Sequence, residues 1–284
     1  MSVSGPFSRM AANHSGAVRR VRANVAGYLD LFRRRPRATA TPLWRAPSGL
    51  ATGAILLIAI IAGSMLALDA RAVPFARRLP EWVIRIFDHV TDLGKSVWLL
   101  VPIAFALALI ALLASPHLAR ISRCVLAAIA VRLGFLFVAI GLPGLIFTIA
   151  KRLIGRGRPL VGGSVDPFHY RPLGWSVEYA SLPSGHAVDA FAIAMAIGAL
   201  WPRARPLLWI YAVTIAVSRV VLTAHFASDV IAGAAVGIVG VLLLRDWFAA
   251  RGLAFVIGPD GIARPLPGPS PARIKRVARQ LVAP

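Results

Sequence analysis

Six apolar runs limit what this chain can fold into. Near 49–69, 97–114, 124–150, 186–201, 207–224 and 229–248 the residues are overwhelmingly Ala, Val, Ile, Leu, Phe and Gly. A helix of about 17 to 25 residues crosses the hydrocarbon core of a bilayer. Inside that core every backbone N–H and C=O must be satisfied within the spanning structure, which favours helices. The runs therefore predict an all-α fold, a polytopic membrane protein built as a bundle of six transmembrane helices. The fourth run is the shortest and needs its polar flanks to complete a crossing, so five spans is the alternative count. A hydrophobic share of 58% fits this class and not a soluble domain.

Charge sets the orientation. The formal net charge is +21, which by itself invites a nucleic-acid reading, but its distribution argues against one. Arginines crowd the two tails (Arg33, Arg34, Arg35 and Arg37; Arg273, Lys275, Arg276 and Arg279) and the short loops at 120–123 and 203–205. With six spans all four segments share one side. The positive-inside bias makes that side cytoplasmic, with anionic lipid headgroups as the natural partner of the tails. Three parts follow: a basic cytoplasmic segment, 1–47; a six-helix membrane domain, 48–250; and a basic, Pro/Gly-rich cytoplasmic tail, 251–284, without a packed core of its own. Val18, Val21, Val25, Tyr28 and Phe32 recur at helical spacing, which reads as a helix on the inner membrane surface or else as a disordered tail. Trp82, Val83, Ile86, Phe87 and Val90, alternating with Glu81, Arg85 and Asp88, predict an interfacial helix on the outer face. The first apolar run is long enough to act as an uncleaved signal anchor. Cys124 is the single cysteine, so no intramolecular disulfide forms.

The chemistry gathers where apolar sequence meets polar. Ser218 to Asp229 sets Arg219, His225 and Asp229 between two apolar runs, where an unpaired charge costs roughly 3 kcal/mol. If the end of this stretch is helical, His225 and Asp229 stand at i and i+4, so the carboxylate can fix the imidazole tautomer. Arg219 is six residues before His225, about 240° away on a continuous helix. A break between them is therefore expected if both serve one ligand. Two further clusters end neighbouring runs on the same side: Lys151 with Arg158-Pro159, and Ser181-Leu-Pro-Ser184-Gly185-His186. Lys151, Arg158 and Arg219 form a cationic set suited to phosphate, with arginine forks matching its oxygens. Ser184 and Gly185 open the fourth run, so their backbone N–H groups make a helix N-terminal anion site. Two histidines over such a site divide the labour of a displacement at phosphorus. His225 suits the nucleophile and His186 the acid. The clusters lack the grouped Asp and Glu of a two-metal phosphatase, so no metal is expected.

Lys151-x6-Arg158-Pro159, Pro183-Ser184-Gly185-His186 and Ser218-Arg219-x5-His225-x3-Asp229 together resemble the three motifs of the type 2 phosphatidic acid phosphatase family, in the family's order. The resemblance covers about residues 55–248. It implies a six-helix bundle and hydrolysis of lipid phosphates without metal or other cofactor, through a phosphohistidine. It further implies Lys151, Arg158, Ser184, Gly185 and Arg219 as phosphate ligands, His186 as general acid, His225 as nucleophile and Asp229 as its partner. The expected function is removal of phosphate from a lipid phosphate or pyrophosphate at the outer face of a bacterial inner membrane. Undecaprenyl pyrophosphate, phosphatidylglycerol phosphate, phosphatidic acid and lipid A phosphates are substrates common in the family. A phosphotransferase would use the same intermediate, and vanadium haloperoxidases share the anion motifs but are soluble. A non-catalytic anion- or lipid-binding transporter needs charge, but not a nucleophile, an orienting acid and a second histidine together.

Overall fold

The computed structural model describes residues 6–36, 47–115 and 117–282, with side chains in the first helix from Val18 on, except at position 20. Arg37 of the N-terminal basic cluster lies outside the described residues. About 73% of the chain is helical. In order come α1 (Pro6–Phe32), α2 (Pro47–Ser64), a π-type turn (Met65–Asp69), α3 (Ala70–Ala76), α4 (Glu81–Thr91), α5 (Val97–Leu113) and α6 (Arg120–Ile154). A long loop leads to α7 (Gly185–Leu200), α8 (Arg205–Val221) and α9 (Ala227–Ala250). A hairpin of β1 (Phe255–Ile257) and β2 (Ala263–Pro265) and a final helix, α10 (Pro271–Val282), complete the fold.

Among the described residues five helical segments are long and apolar enough to cross a membrane: Pro47–Ala76, Glu81–Leu113, Arg120–Ile154, Pro202–Val221 and Ala227–Ala250. The remaining apolar run, the fourth along the chain, is α7, only 16 residues long, which at 1.5 Å per residue spans about 24 Å against a hydrocarbon core of about 30 Å. α7 is also the most enclosed helix. Ala187, Ala190, Ala192 and Ala196 have no exposed surface, and α6, α8 and α9 pack around it. Small residues explain the close fit. A Cβ added at Gly233 of α9 would sit 2.6 Å from the Ser184 carbonyl oxygen, and one at Gly237 would sit 2.5 Å from that of Val188. This is the G-x-x-x-G spacing that lets two helix backbones touch. By contrast, Ile55, Leu56, Ile58 and Ile60 of α2 are exposed, an apolar face of the kind that lipid covers.

Within 251–284, expected to lack a packed core of its own, apolar residues pack onto the helices of the bundle. Phe255 is fully buried and stacks edge-on against Phe135 of α6, with ring centroids 4.7 Å apart. Val277 of α10 is buried with Val125 and Leu126 of α6, and Ser122 Oγ donates to Gln280 at 2.5 Å. Among the described residues the hairpin is the one sheet in an otherwise helical fold. α1 is anchored similarly: the Asn24 side-chain amide donates to the carbonyls of Ala111 and Ala114 at 2.8 and 2.7 Å, satisfying two orphan acceptors at the C-terminus of α5. The 81–90 segment is the short helix α4, which turns through residues 92–94 into α5 and packs on α8.

Candidate active site

Three local devices bring the polar clusters to one end of the bundle. The first is the end of α6. Gly155 adopts a left-handed conformation (φ 66°) and caps the helix, and a Cβ there would lie 1.9 Å from the Arg171 carbonyl oxygen, so glycine is required. The loop then folds back on itself. Arg171 N–H donates to Gly155 (2.7 Å), Gly157 N–H to His169 (2.9 Å), Arg158 N–H to Glu178 (2.8 Å) and Ser181 N–H to Arg156 (3.1 Å). This lacing fixes Arg156, Arg158 and Ser181 over the ends of α7 and α9.

The second device is the start of α7. Ser184 takes the N-cap position, and its N–H donates to the Asp229 carbonyl at 3.0 Å. A Cβ on Gly185 would lie 3.8 Å from Lys151 Nζ. The ammonium of α6 therefore stands at the N-terminus of α7, where the helix dipole already favours an anion.

The third is the break between α8 and α9. α8 ends at Val221, Thr223 takes a positive φ of 49°, and α9 starts at Ala227. Ala224 and His225 both donate their N–H groups to the Arg219 carbonyl, at 3.1 and 3.2 Å. The reversal brings His225 back beside Arg219, as the 240° offset on a straight helix required. His225 precedes α9 and so is not part of a helical i, i+4 pair. The expected direct hydrogen bond to Asp229 is not made: Nδ1 lies 3.7 Å from Oδ2, beyond hydrogen-bond range. Instead Ser181 Oγ donates to Asp229 Oδ2 at 2.6 Å and lies 3.4 Å from His225 Nδ1. Asp229 Oδ2 also accepts the Phe226 N–H at 2.9 Å, which caps the first turn of α9.

The result is a cluster of the residues that the motifs single out. Arg158 lies within electrostatic reach of Lys151, Arg219, His225 and Asp229. His186 stands in the same range of Arg219 and His225. Ser184 Oγ, Arg158 Nε and Arg219 Nε are buried without a protein partner, so their donor capacity is uncommitted. Burial lowers the pKa of His225; Asp229 opposes this, and Arg158 and Arg219 reinforce it. The imidazole is thereby held neutral at pH 7, the state a nucleophile needs.

Three residues that the sequence did not single out complete the site. Arg156 is fully buried and bridges two carboxylates, with Nη1 donating to Asp229 Oδ1 at 2.5 Å and Nη2 to Asp69 Oδ2 at 2.8 Å. Its guanidinium lies 4.6 Å from the centre of the Phe226 ring. Burial works against its charge, but the two carboxylates more than offset this and hold its pKa above the ordinary arginine value. Asp69, at the end of the π-type turn, also accepts the Ser228 N–H at 3.0 Å. Thr91, the last residue of α4, accepts from Arg219 Nη1 at 2.7 Å and from Ser218 Oγ at 3.0 Å. A lone acid ending the first apolar run was the available signal for Asp69. Arg156 sat inside the first motif, but nothing in its spacing revealed a partner 87 residues upstream.

A cavity of about 360 Å³ opens beside this cluster. Lys95, Ser96, Lys151, His186 and Asp189 give it a polar end, while Leu100, Leu145 and Phe147 line it with apolar surface. His225, Arg158 and Arg219 are not among its walls. Among the described residues, no group of three or more His, Cys, Asp or Glu side chains is arranged to hold a metal ion.

Residues 132–253 match the PAP2 superfamily. The chain is 32% identical to a lipid A 1-phosphatase of Rhizobium johnstonii over 237 residues, covering 82% of this chain and 93% of that protein. It is 33% identical over 208 residues to a lipid A 1-phosphatase of Rhizobium etli, covering 72% and 88%. Among solved structures, Aquifex aeolicus LpxE matches with 21% identity and a TM-score of 0.45, over 63% of this chain and 94% of that one. A PAP2-type phosphatidylglycerolphosphate phosphatase from Bacillus subtilis matches with 19% identity and a TM-score of 0.38, over 80% and 94%.

Proposed function

The chain belongs to the PAP2 superfamily and is a phosphatase, and on that premise we propose that it removes the phosphate from a phosphorylated glycolipid of the lipid A type. The observation that carries this reading is the convergence of Lys151, Arg158, Arg219 and two histidines on the N-terminus of α7, beside a cavity polar at one end and apolar at the other. Such a cavity suits a lipid whose polar head carries the phosphate.

In this mechanism Lys151, Arg158, Arg219, Ser184 Oγ and the backbone N–H groups around Gly185 hold the phosphate oxygens. His225, neutral and buried, attacks phosphorus through the ring nitrogen remote from Asp229. Asp229 and Ser181 orient the ring and stabilise the imidazolium that forms. His186 gives a proton to the leaving oxygen, then takes one from the water that cleaves the phosphohistidine. The fixed cations stabilise the charge spread over the equatorial oxygens.

We read the chain as crossing a bacterial inner membrane six times, with α7 as the short, protein-wrapped crossing. The arginines of 120–123 and 203–205 lie at the ends of helices remote from the site, which supports placing both termini in the cytoplasm and the site at the outer face. α4, with Thr91 on Arg219, then serves as an interfacial helix beside the site, and the basic tails bind anionic headgroups. The test is phosphate release by purified protein from lipid A 1-phosphate. We expect wild-type turnover and its loss in a folded His225→Ala variant; undiminished turnover in that variant would overturn the assignment.

A further inference from the structure

The cavity wall contains an acid that the mechanism does not use. Asp189 sits one turn into α7, on the same helix as His186, and lines the polar end of the cavity. Its Oδ2 accepts the Ser96 N–H at 3.2 Å, at the start of α5. Its other oxygen, Oδ1, faces Gly144 of α6, where an added Cβ would lie 2.9 Å from it. Glycine at that position keeps the wall open in front of the carboxylate. A carboxylate this deep in a membrane helix is costly. Accepting hydrogen bonds from Ser96 does not require a charge, since a neutral Asn side chain would cap α5 equally well.

The geometry of displacement says what stands opposite Asp189. The nucleophile and the leaving oxygen lie roughly in line on opposite sides of phosphorus. The cavity is walled by His186 and Lys151 but not by His225, so it is the leaving-group side, and its occupant is the group joined to the phosphate. A carboxylate can only accept hydrogen bonds. It favours hydroxyl and amide N–H groups on that occupant and repels an anion. Two lysines flank it: Lys95 Nζ is bound to Asp92 Oδ1 at 2.7 Å, and Lys151, which is within electrostatic reach of Asp189, has its Nζ at Gly185, on the phosphate side of the cavity.

Resting on the phosphatase reading above, we propose that Asp189 is a specificity residue that accepts hydrogen bonds from a sugar-like leaving group and excludes a second phosphate from the same position. The enzyme is then a glycolipid monophosphatase, and it discriminates against diphosphates, whose inner phosphate would have to lie in the leaving-group cavity.

Two comparisons test this in detergent micelles. The first uses wild-type protein on lipid A 1-phosphate and lipid A 1-diphosphate. We expect kcat/KM to favour the monophosphate at least 10-fold; equal or faster release from the diphosphate overturns the inference. The second uses Asp189→Asn, which keeps an acceptor for the Ser96 N–H, on lipid A 1-phosphate and on a polyprenyl phosphate with no donor groups. The ratio of kcat/KM for the sugar substrate over the polyprenyl one should fall about 10- to 100-fold, the range for losing a hydrogen bond to a charged acceptor. A ratio that moves less than twofold overturns the inference, including the case where both activities fall together. If the variant does not fold, the wild-type comparison decides alone. Wild-type protein that releases phosphate from none of these lipids overturns the phosphatase reading, and this inference with it.

Discussion

Gly233→Ala is a one-carbon test of how tightly the site depends on helix packing. The added Cβ would lie 2.6 Å from the Ser184 carbonyl oxygen, 2.9 Å from the Ala187 Cβ and 3.3 Å from the Val188 nitrogen. Two of these are backbone atoms, of the N-cap and first turn of α7, and cannot rotate away, so α7 and α9 must part by at least about 0.4 Å to reach the 3.0 Å that real contacts respect. Overpacking of this kind typically costs about 1–3 kcal/mol, less up to about 1 kcal/mol regained from alanine's helix propensity. The same contact carries the Ser184 N–H to Asp229 hydrogen bond, which joins the proposed phosphate-binding turn to the proposed partner of His225. A displacement approaching 1 Å at reacting groups lowers rate about 100-fold, so a loss of kcat of about 10- to 100-fold is expected. Thermal unfolding in detergent and phosphate release on the same preparation give both numbers. Gly237→Ala, 2.5 Å from the Val188 carbonyl oxygen, should lower the melting temperature similarly but reduce kcat less, because it lies one turn further from Ser184. Gly53→Ala, with nothing within 4 Å, is the neutral control. A Gly233→Ala protein that matches wild type in both stability and kcat would refute the packing argument.

Arg156→Ala strands Asp69 and Asp229 as unpaired buried carboxylates and should destabilise the protein by about 3–5 kcal/mol. Arg156→Lys keeps the charge but not the fork that spans both acids, and should fall between, as read from melting temperatures and phosphate release. The pH dependence follows from His225. Its folded pKa is depressed by burial, so the unfolded chain binds the proton first as pH falls through about 6.5. Stability from the neutral ring is therefore present above that value and is lost below it. On the proposed mechanism the acid limb of kcat/KM reports His225 and should lie below about pH 6.5, and a limb above it would contradict a neutral His225 as nucleophile.

How much was legible in the sequence depended on whether a constraint was local. Lys151, Arg158, Ser184, His186, Arg219 and His225 stood out because polar residues at the ends of apolar runs carry a cost that must be met. The break before α9 was legible because a spacing of six residues points two side chains apart on a straight helix. The same helical logic failed for His225 and Asp229, because α9 begins only after His225, and Ser181 takes the place between them. Pairings made across the chain left no spacing to read. Asp69 with Arg156, Thr91 with Arg219 and the glycines of α9 against α7 depend on which helices become neighbours. The buried use of Phe255 and Val277 was hidden for a different reason: a basic, proline-rich composition masks a few well-placed apolar residues.

The Asp69 to Arg156 pair also bears on how the protein is made. The first hydrophobic segment enters the bilayer with a carboxyl near its end, and the guanidinium that neutralises it is synthesised 87 residues later, after two more hydrophobic segments have emerged from the ribosome. Until then Asp69 must keep contact with water, at a cost of up to about 3 kcal/mol for an acid within the membrane. Seating of the first helix is thus conditional on arrival of the loop after α6. A nascent or truncated chain that stops short of that loop displays an unsatisfied acid, a chemical mark of incomplete assembly, and the finished protein hides that mark completely.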